Sequence, residues 1–121
     1  MAQQFHPTTD QMQLGNVLAA LGDETRLAMV AHIVRSETGN AICSSFNYLT
    51  SKSNLTYHLG KLREAGVVRV VPQGTRKIIS LRTEDLQKLF PGLLDSIIAG
   101  LPPGFGANIG AEFDAESMSA A

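Results

Sequence analysis

Side chains able to form hydrogen bonds and ion pairs are concentrated in the stretch that follows Ser51. Leu55, Leu59 and Leu62 recur at helical spacing and predict a buried stripe along one face of a helix. The opposite face then carries hydroxyl, amide, phenol and ammonium groups, from Lys52, Ser53, Asn54, Thr56, Tyr57 and Lys61. Such groups at the exposed start of a helix can read base edges in the major groove of DNA. Lys61 and Arg63, later in the helix, suit contact with phosphates.

Formal charge separates along the chain in a way that favours a polyanionic partner. Residues 51–82 hold seven basic side chains and one acidic side chain, a net charge of +6. The other residues hold three basic and ten acidic side chains, a net charge of −7. The whole chain is close to neutral, at −1, only because these two parts cancel. A basic stretch of this kind is the electrostatic footprint expected of a nucleic-acid-binding surface.

The same stretch predicts a capped helix followed by a β-hairpin. Ser51 is a favourable N-cap residue, and Gly66 follows the last periodic residue, where a left-handed conformation commonly ends a helix. Residues 67–71 and 78–81 are rich in valine, isoleucine and leucine and predict two strands.

The turn between the two predicted strands carries positive charge. Pro72–Thr75 has turn composition, and Gly74 permits a tight reversal. Arg76 and Lys77 follow the turn, so they lie at the tip of the hairpin. There they are placed to enter a minor groove or to neutralise its phosphates.

Three further helices are predicted upstream of this stretch. Apolar spacing indicates a short helix over 11–21 and a longer one over Glu24–Ser36, with Asp23 as its N-cap. A weaker pattern over Ala41–Tyr48 predicts a third helix. A short helix, a tight turn and a longer basic helix form a helix-turn-helix, and the hairpin that follows makes it a winged helix. The predicted fold is therefore mainly α with a β-hairpin.

The last predicted helix has an apolar face wider than a solvated terminal helix needs. It runs over 84–100 after Thr83 as cap, and Pro91-Gly92 should kink it or split it in two. Together with the first helix it would leave a large apolar patch on a lone subunit. We therefore expect the first and last helices to form a dimer interface, with Met12, Leu14, Val17, Leu18, Leu86, Phe90, Leu93 and Ile97 as its residues.

Two motifs in order resemble the winged helix-turn-helix repressors of the arsenical-resistance repressor family (ArsR/SmtB). The first is LGDETRL at 21–27, similar to that family's LADPTRL. The second is LTYHL at 55–59 with LREAGVV at 62–68, similar to its VSHHL and LREAGLV. The resemblance covers about residues 14–98. It implies a homodimeric repressor whose two recognition helices bind a palindromic operator.

The sensing residues typical of that family are not present as pairs. Its metal sensors carry paired cysteines in the third helix, or Asp and His pairs in the last helix. This chain offers one thiol, Cys43, and a last helix with Asp85 and Asp95 but no histidine. One thiolate supplies too few ligands for a tetrahedral metal site within a subunit. The sequence therefore predicts no metal and no cofactor. It leaves open a thiol-reactive or metal-responsive role for Cys43, with metal ligands drawn from both subunits.

Composition supports a single cytoplasmic domain. The chain has 121 residues, one cysteine, no long apolar run and no recognisable secretory signal. No nucleophile, base and orienting group are arranged as an enzyme would need. We expect a flexible N-terminus at 1–10, a DNA-binding and dimerisation domain at 11–100, and a disordered, acidic C-terminal tail at 101–121.

The predicted function is a sequence-specific, DNA-binding transcriptional regulator that acts as a homodimeric repressor. Two alternatives remain at this point. One is a metal- or thiol-responsive repressor that uses Cys43, and the other is a winged-helix module that docks a protein partner through its exposed apolar last helix.

Overall fold

A computed structural model describes residues 4–105. Within that range the chain forms five α-helices and a three-stranded antiparallel sheet, which confirms the predicted winged helix-turn-helix. The helices and strands in chain order are α1 (Leu14–Leu21), α2 (Glu24–Arg35), β1 (Asn40–Ile42), α3 (Lys52–Ala65), β2 (Val68–Gln73), β3 (Arg76–Leu81), α4 (Thr83–Leu89) and α5 (Leu93–Gly100). Short 3-10 turns occupy Thr9–Gln11 and Cys43–Phe46. No helix between residues 4 and 105 has the length and apolar character needed to span a membrane.

Helix α3 forms where its local sequence predicts it. Its N-cap is Ser51, whose hydroxyl oxygen accepts a hydrogen bond from the Asn54 amide at 3.3 Å. Gly66 ends the helix with φ of +90°, a conformation in which a residue with a Cβ is strained. A Cβ at Gly66 would also lie 2.7 Å from Met12 Cγ, so the N-terminal segment packs directly on the end of α3. The predicted apolar stripe is buried in the core, at Leu55, Leu59, Leu62 and Ala65.

The β-hairpin, β2 and β3, gains a third strand that the sequence did not predict. Strand order is β1-β3-β2, and Ala41 of β1 lies opposite Ile79, which lies opposite Val70 of β2. This row of three is buried and joins the sheet to the helical core. We refer to the β2–β3 hairpin as the wing.

The predicted helix over Ala41–Tyr48 is wrong in its first half. Its start is β1, and only one 3-10 turn, Cys43–Phe46, precedes the loop to α3. The pairing of β1 with β3 satisfies backbone groups that a helix would otherwise have paired internally. Phe46, at the end of the 3-10 turn, is fully buried in the core.

The last predicted helix is divided, as Pro91-Gly92 suggested. Helix α4 ends at Leu89, and α5 begins at Leu93 after Gly92, which adopts φ of +80°. The cap position of α4 is Arg82 rather than Thr83, which is the first residue of the helix. The apolar stripe expected along one continuous helix is therefore shared between two short ones.

Residues 4–10 and Phe105, which lie outside the predicted DNA-binding and dimerisation domain, make contacts with it. Residues 4–10, predicted to be flexible, pack against α3, β2 and the start of α4, and Pro7 is buried. At the other end, Phe105 is half-buried against the core, and its carbonyl accepts a hydrogen bond from Arg35. Most of the predicted C-terminal tail, residues 106–121, lies outside the described residues.

Candidate nucleic-acid interface

The outward face of α3 presents the predicted polar set to solvent. Lys52, Ser53, Asn54, Thr56, Tyr57 and Lys61 are all exposed. The Thr56 hydroxyl donates to the Lys52 carbonyl at 3.2 Å, which leaves its oxygen free to accept. The Lys61 ammonium lies 5.6 Å from the centroid of the Tyr57 ring, a cation–π contact that restricts both long side chains. This face therefore offers donors and acceptors on a helix whose opposite side is fixed in the core.

Arg63 does not belong to that exposed set. Its guanidinium donates to the Phe5 carbonyl at 2.6 Å, and only 14% of its side chain is exposed. It also lies 4.0 Å from the Glu64 carboxylate. The side chain that the sequence assigned to phosphate contact is instead engaged with the N-terminal segment.

Arg82 is also buried and does not contribute its charge to the exposed surface. It is 7% exposed, and two of its nitrogens lie 3.0 Å from the Asp85 carboxylate. A third nitrogen donates to the Pro7 carbonyl at 2.6 Å. Asp85 also pairs with the more exposed Arg69 at 3.7 Å. Of the seven basic residues counted in the 51–82 stretch, the ones with exposed side chains are Lys52, Lys61, Arg69, Arg76 and Lys77.

The tip of the wing is exposed and positively charged. Gln73 lies opposite Arg76, so Gly74 and Thr75 form a two-residue loop, and Gly74 supplies the positive φ of +63° that such a loop requires. Arg76 and Lys77 take part in none of the arginine–carboxylate ion pairs found among residues 4–105. Their charges are therefore available to a polyanion.

A hydrogen bond joins α2 to α3 beside the exposed face of α3. Arg26 Nη1 lies 3.0 Å from His58 Nδ1, and Arg26 Nε donates to the Ala20 carbonyl. The amide of Arg26 is held by the N-cap carboxylate of Asp23, whose oxygen is 4.0 Å from the His58 ring. Since a guanidinium can only donate, His58 Nδ1 accepts, and the ring is neutral in this arrangement.

The electrostatics at His58 agree with that assignment. Burial lowers the pKa of His58; the Asp23 carboxylate opposes this shift, and the Arg26 guanidinium adds to it. The contact joins the LGDETRL segment to the LTYHL segment, which the sequence showed only as two separate motifs. The role of Arg26 was missed because no local pattern links residues that far apart in the chain.

A second histidine network supports the turn before α3. His32 Nδ1 lies 2.8 Å from the Tyr48 hydroxyl, and Nε2 lies 3.0 Å from the Ser45 hydroxyl. Ser45 donates its own proton to the Ile42 carbonyl at 2.6 Å, so His32 Nε2 must be the donor to Ser45. Burial lowers the pKa of His32, consistent with a neutral ring. His32 thus serves packing and hydrogen bonding between α2 and the helix-turn-helix.

Cys43 has no group of metal ligands around it in the part of the chain that the structure describes. The thiol is half-buried against the core, beside the 3-10 turn. Between residues 4 and 105, no three His, Cys, Asp or Glu side chains are grouped closely enough to hold a metal ion.

The residues expected at the dimer interface separate into three groups by their exposure. Met12, Val17 and Leu86 are buried within their own subunit, at 8%, 0% and 2% exposure, so they are core residues that offer no surface to a second copy. Leu14 and Leu18, one helical turn apart on α1, are 45% and 47% exposed. The remaining three, Phe90, Leu93 and Ile97, are half-buried.

These features define the class: a winged helix-turn-helix with an exposed, basic recognition helix and a basic wing tip. No protein-family model matches the chain. It is similar to YceK of Bacillus subtilis (strain 168), described as an uncharacterized HTH-type transcriptional regulator, with 29% identity over 92 residues. The match covers 74% of this chain and 90% of that protein. It supports the helix-turn-helix class and does not distinguish the ArsR/SmtB family within it. Regulators of this class are not known as enzymes.

Proposed function

We propose that the protein is a sequence-specific, DNA-binding transcriptional regulator. The observation that carries this proposal is the two-sided character of α3. Leucines at 55, 59 and 62 fix one side in the core, while the first two turns of the other side expose short polar groups. That is the arrangement a recognition helix needs to place side chains against base edges.

In this proposal the contacts divide by chemistry. Ser53, Asn54, Thr56 and Tyr57 form hydrogen bonds with bases, and Lys52 and Lys61 flank them with charge that attracts phosphate. Arg76 and Lys77 extend the contact through the wing. Arg63 is excluded from it, because its guanidinium is committed to Phe5.

We further propose that the regulator is a homodimeric repressor on a palindromic operator. Leu14 and Leu18 supply an exposed apolar surface on α1, and Leu93 and Ile97 are only half-covered on α5. Pairing these surfaces across a two-fold axis would remove the apolar area and present two copies of α3 to successive major grooves. The motif resemblance supports repression. The lack of a group of metal ligands among residues 4–105 supports sensing without the family's paired metal sites.

Selection of bound duplexes from a random DNA pool tests this function. We expect enrichment of an inverted repeat whose half-sites are about one helical turn apart, roughly 10 base pairs. Asn54→Ala should weaken binding and relax the preference at one position in each half-site, by about 1–3 kcal/mol. Gln87→Ala, an exposed amide on α4 whose Oε1 accepts the Gly92 N–H at 3.4 Å, is the matched control and should leave the sequence preference unchanged.

Two results would contradict the proposal. The first is a pool that shows no enriched sequence together with binding insensitive to salt, which would favour a winged-helix module for a protein partner. The second is equal enrichment of the same sequence by the parent protein and by Asn54→Ala, which would remove α3 from base recognition.

A further inference from the structure

The N-terminal segment is anchored at several points along residues 4–12, which we call the strap. Arg63 at the end of α3 donates to the Phe5 carbonyl, and Arg82 before α4 donates to the Pro7 carbonyl. Met12 packs on Gly66, the residue that ends α3. The strap therefore connects the recognition helix to the segment that follows the wing.

His6 makes the remaining anchor, on the wing itself. Its Nε2 atom lies 3.0 Å from the backbone nitrogen of Val70 and accepts the Val70 N–H. Strand β2 is an edge strand of the sheet, so this amide has no neighbouring strand to bond on that side. The bond requires a lone pair on Nε2, and protonation of the ring removes it.

The charges around His6 oppose its protonation. Burial is the largest influence and lowers the pKa of His6, while a hydrogen bond with the Gln4 backbone acts in the opposite direction. Arg69 on β2, Arg63 on α3 and Arg82 each lower the pKa further. The acid beside them is Asp85 on α4, which is already paired with Arg69 and Arg82.

We propose that the strap is a pH-sensitive tie between the wing and the recognition helix, and that protonation of His6 releases it from β2. A protonated ring cannot accept the Val70 amide and adds a fourth cation to a cluster of three arginines. Loss of this anchor leaves Phe5 and Pro7 held only by Arg63 and Arg82. The role of α3 as a recognition helix rests on the proposed function, but release of the strap is a property of the free protein.

Amide hydrogen exchange followed by NMR on the free, full-length protein tests the release. Protection of the Val70 amide should fall about tenfold between about pH 7.5 and about pH 4.5, after correction for intrinsic exchange. The Val67 amide is an internal control, because it donates to the Leu62 carbonyl and has no titrating partner. Its protection should change much less over the same range.

Two substitutions separate the acceptor from its titration. His6→Gln keeps an acceptor oxygen that does not titrate, so Val70 protection should stay constant across the pH range. His6→Ala removes the acceptor, so protection should be low at every pH. His32→Gln changes a histidine outside the strap and should leave the Val70 response as in the parent.

The proposal is overturned if Val70 in the parent protein is equally protected at both pH values. It is also overturned if His6→Gln shows the same fall as the parent. Because the experiment contains no DNA, neither result depends on whether the protein is a regulator, and a failure of DNA binding would leave the exchange result standing.

Discussion

Replacing Arg76 and Lys77 together by alanine should flatten the salt dependence of DNA binding. Both side chains are exposed at the wing tip, and neither is committed to an ion pair among the described residues. Each lost phosphate contact lowers the slope of log affinity against log salt by about 0.9. Two contacts give about 1.8 per subunit, and about 3.6 if two subunits bind together.

The size of this change makes it measurable by fluorescence anisotropy with a labelled operator. If two subunits bind together, a fourfold rise in salt would weaken DNA binding by the parent about 150-fold more than binding by the double variant. Folding stability should change by less than about 0.5 kcal/mol, because both residues lie on the surface. Urea unfolding of the free protein checks that expectation.

Arg63→Ala is the matched control for the single variant Arg76→Ala, since each substitution removes one arginine charge from the same basic stretch. Its slope should equal that of the parent, because the guanidinium is bonded to Phe5 rather than facing solvent. It should instead lose about 1.5 kcal/mol of stability, the value of a hydrogen bond from a charged donor. An unchanged slope in the double variant would remove the wing from the interface. A fall in the slope of Arg63→Ala as large as that of Arg76→Ala would refute the reasoning about buried and free arginines.

Three other expectations concern assembly, sensing and acid stability. Leu18→Asp should shift the protein to monomer in analytical ultracentrifugation and weaken operator binding, while Val34→Asp, at a similarly exposed apolar site on α2, should do neither; a dimeric Leu18→Asp protein would contradict the interface. One equivalent of zinc, cadmium or arsenite should leave the operator bound in a gel-shift assay, and Cys43→Ser should bind the operator like the parent. Release of the operator by metal would favour the metal-responsive alternative. Release by peroxide or persulfide that depends on Cys43 would favour the thiol-reactive alternative. All three histidines have a pKa lowered below the ordinary 6.5, so the folded state favours neutral rings and stability should decline as pH falls below about 6.5. A urea midpoint independent of pH between about 7.5 and 5 would contradict those environments.

Helix α3 could be predicted closely because each of its determinants is local. The cap at Ser51, the leucine spacing and the stop at Gly66 all lie within the helix or one residue beyond it. The division of the last helix was equally local, since Pro91 and Gly92 each disfavour a continuous helix.

Strand β1 could not be predicted from its own three residues. Its conformation depends on pairing with β3, which lies almost forty residues later in the chain. A weak helical pattern in Ala41–Tyr48 could not reveal that competition, because tertiary pairing overrides a small local preference.

The sequence was enough to predict which face of α3 is exposed, but it was not enough to predict which arginines are exposed. Exposure of the polar face of α3 follows from the leucines on the other face. The partners of Arg63 and Arg82, by contrast, are backbone carbonyls of Phe5 and Pro7, and a carbonyl leaves no trace in the sequence. Counting charge in the stretch therefore overestimated what a polyanion can reach.

The strap also bears on the order in which the domain is completed during synthesis. Each of its hydrogen bonds spans a long stretch of sequence, with separations of 58, 64 and 75 residues between the two partners. The backbone hydrogen bonds of α3, by contrast, join residues that are close in sequence. The strap is synthesised before the helices and strands that anchor it, yet Arg82 must emerge before Pro7 can bind it. Contacts of such long sequence separation form late, because the intervening chain loses entropy before they stabilise anything. The strap should thus be among the last parts of the domain to reach its native place, after the sheet edge that it covers has already formed.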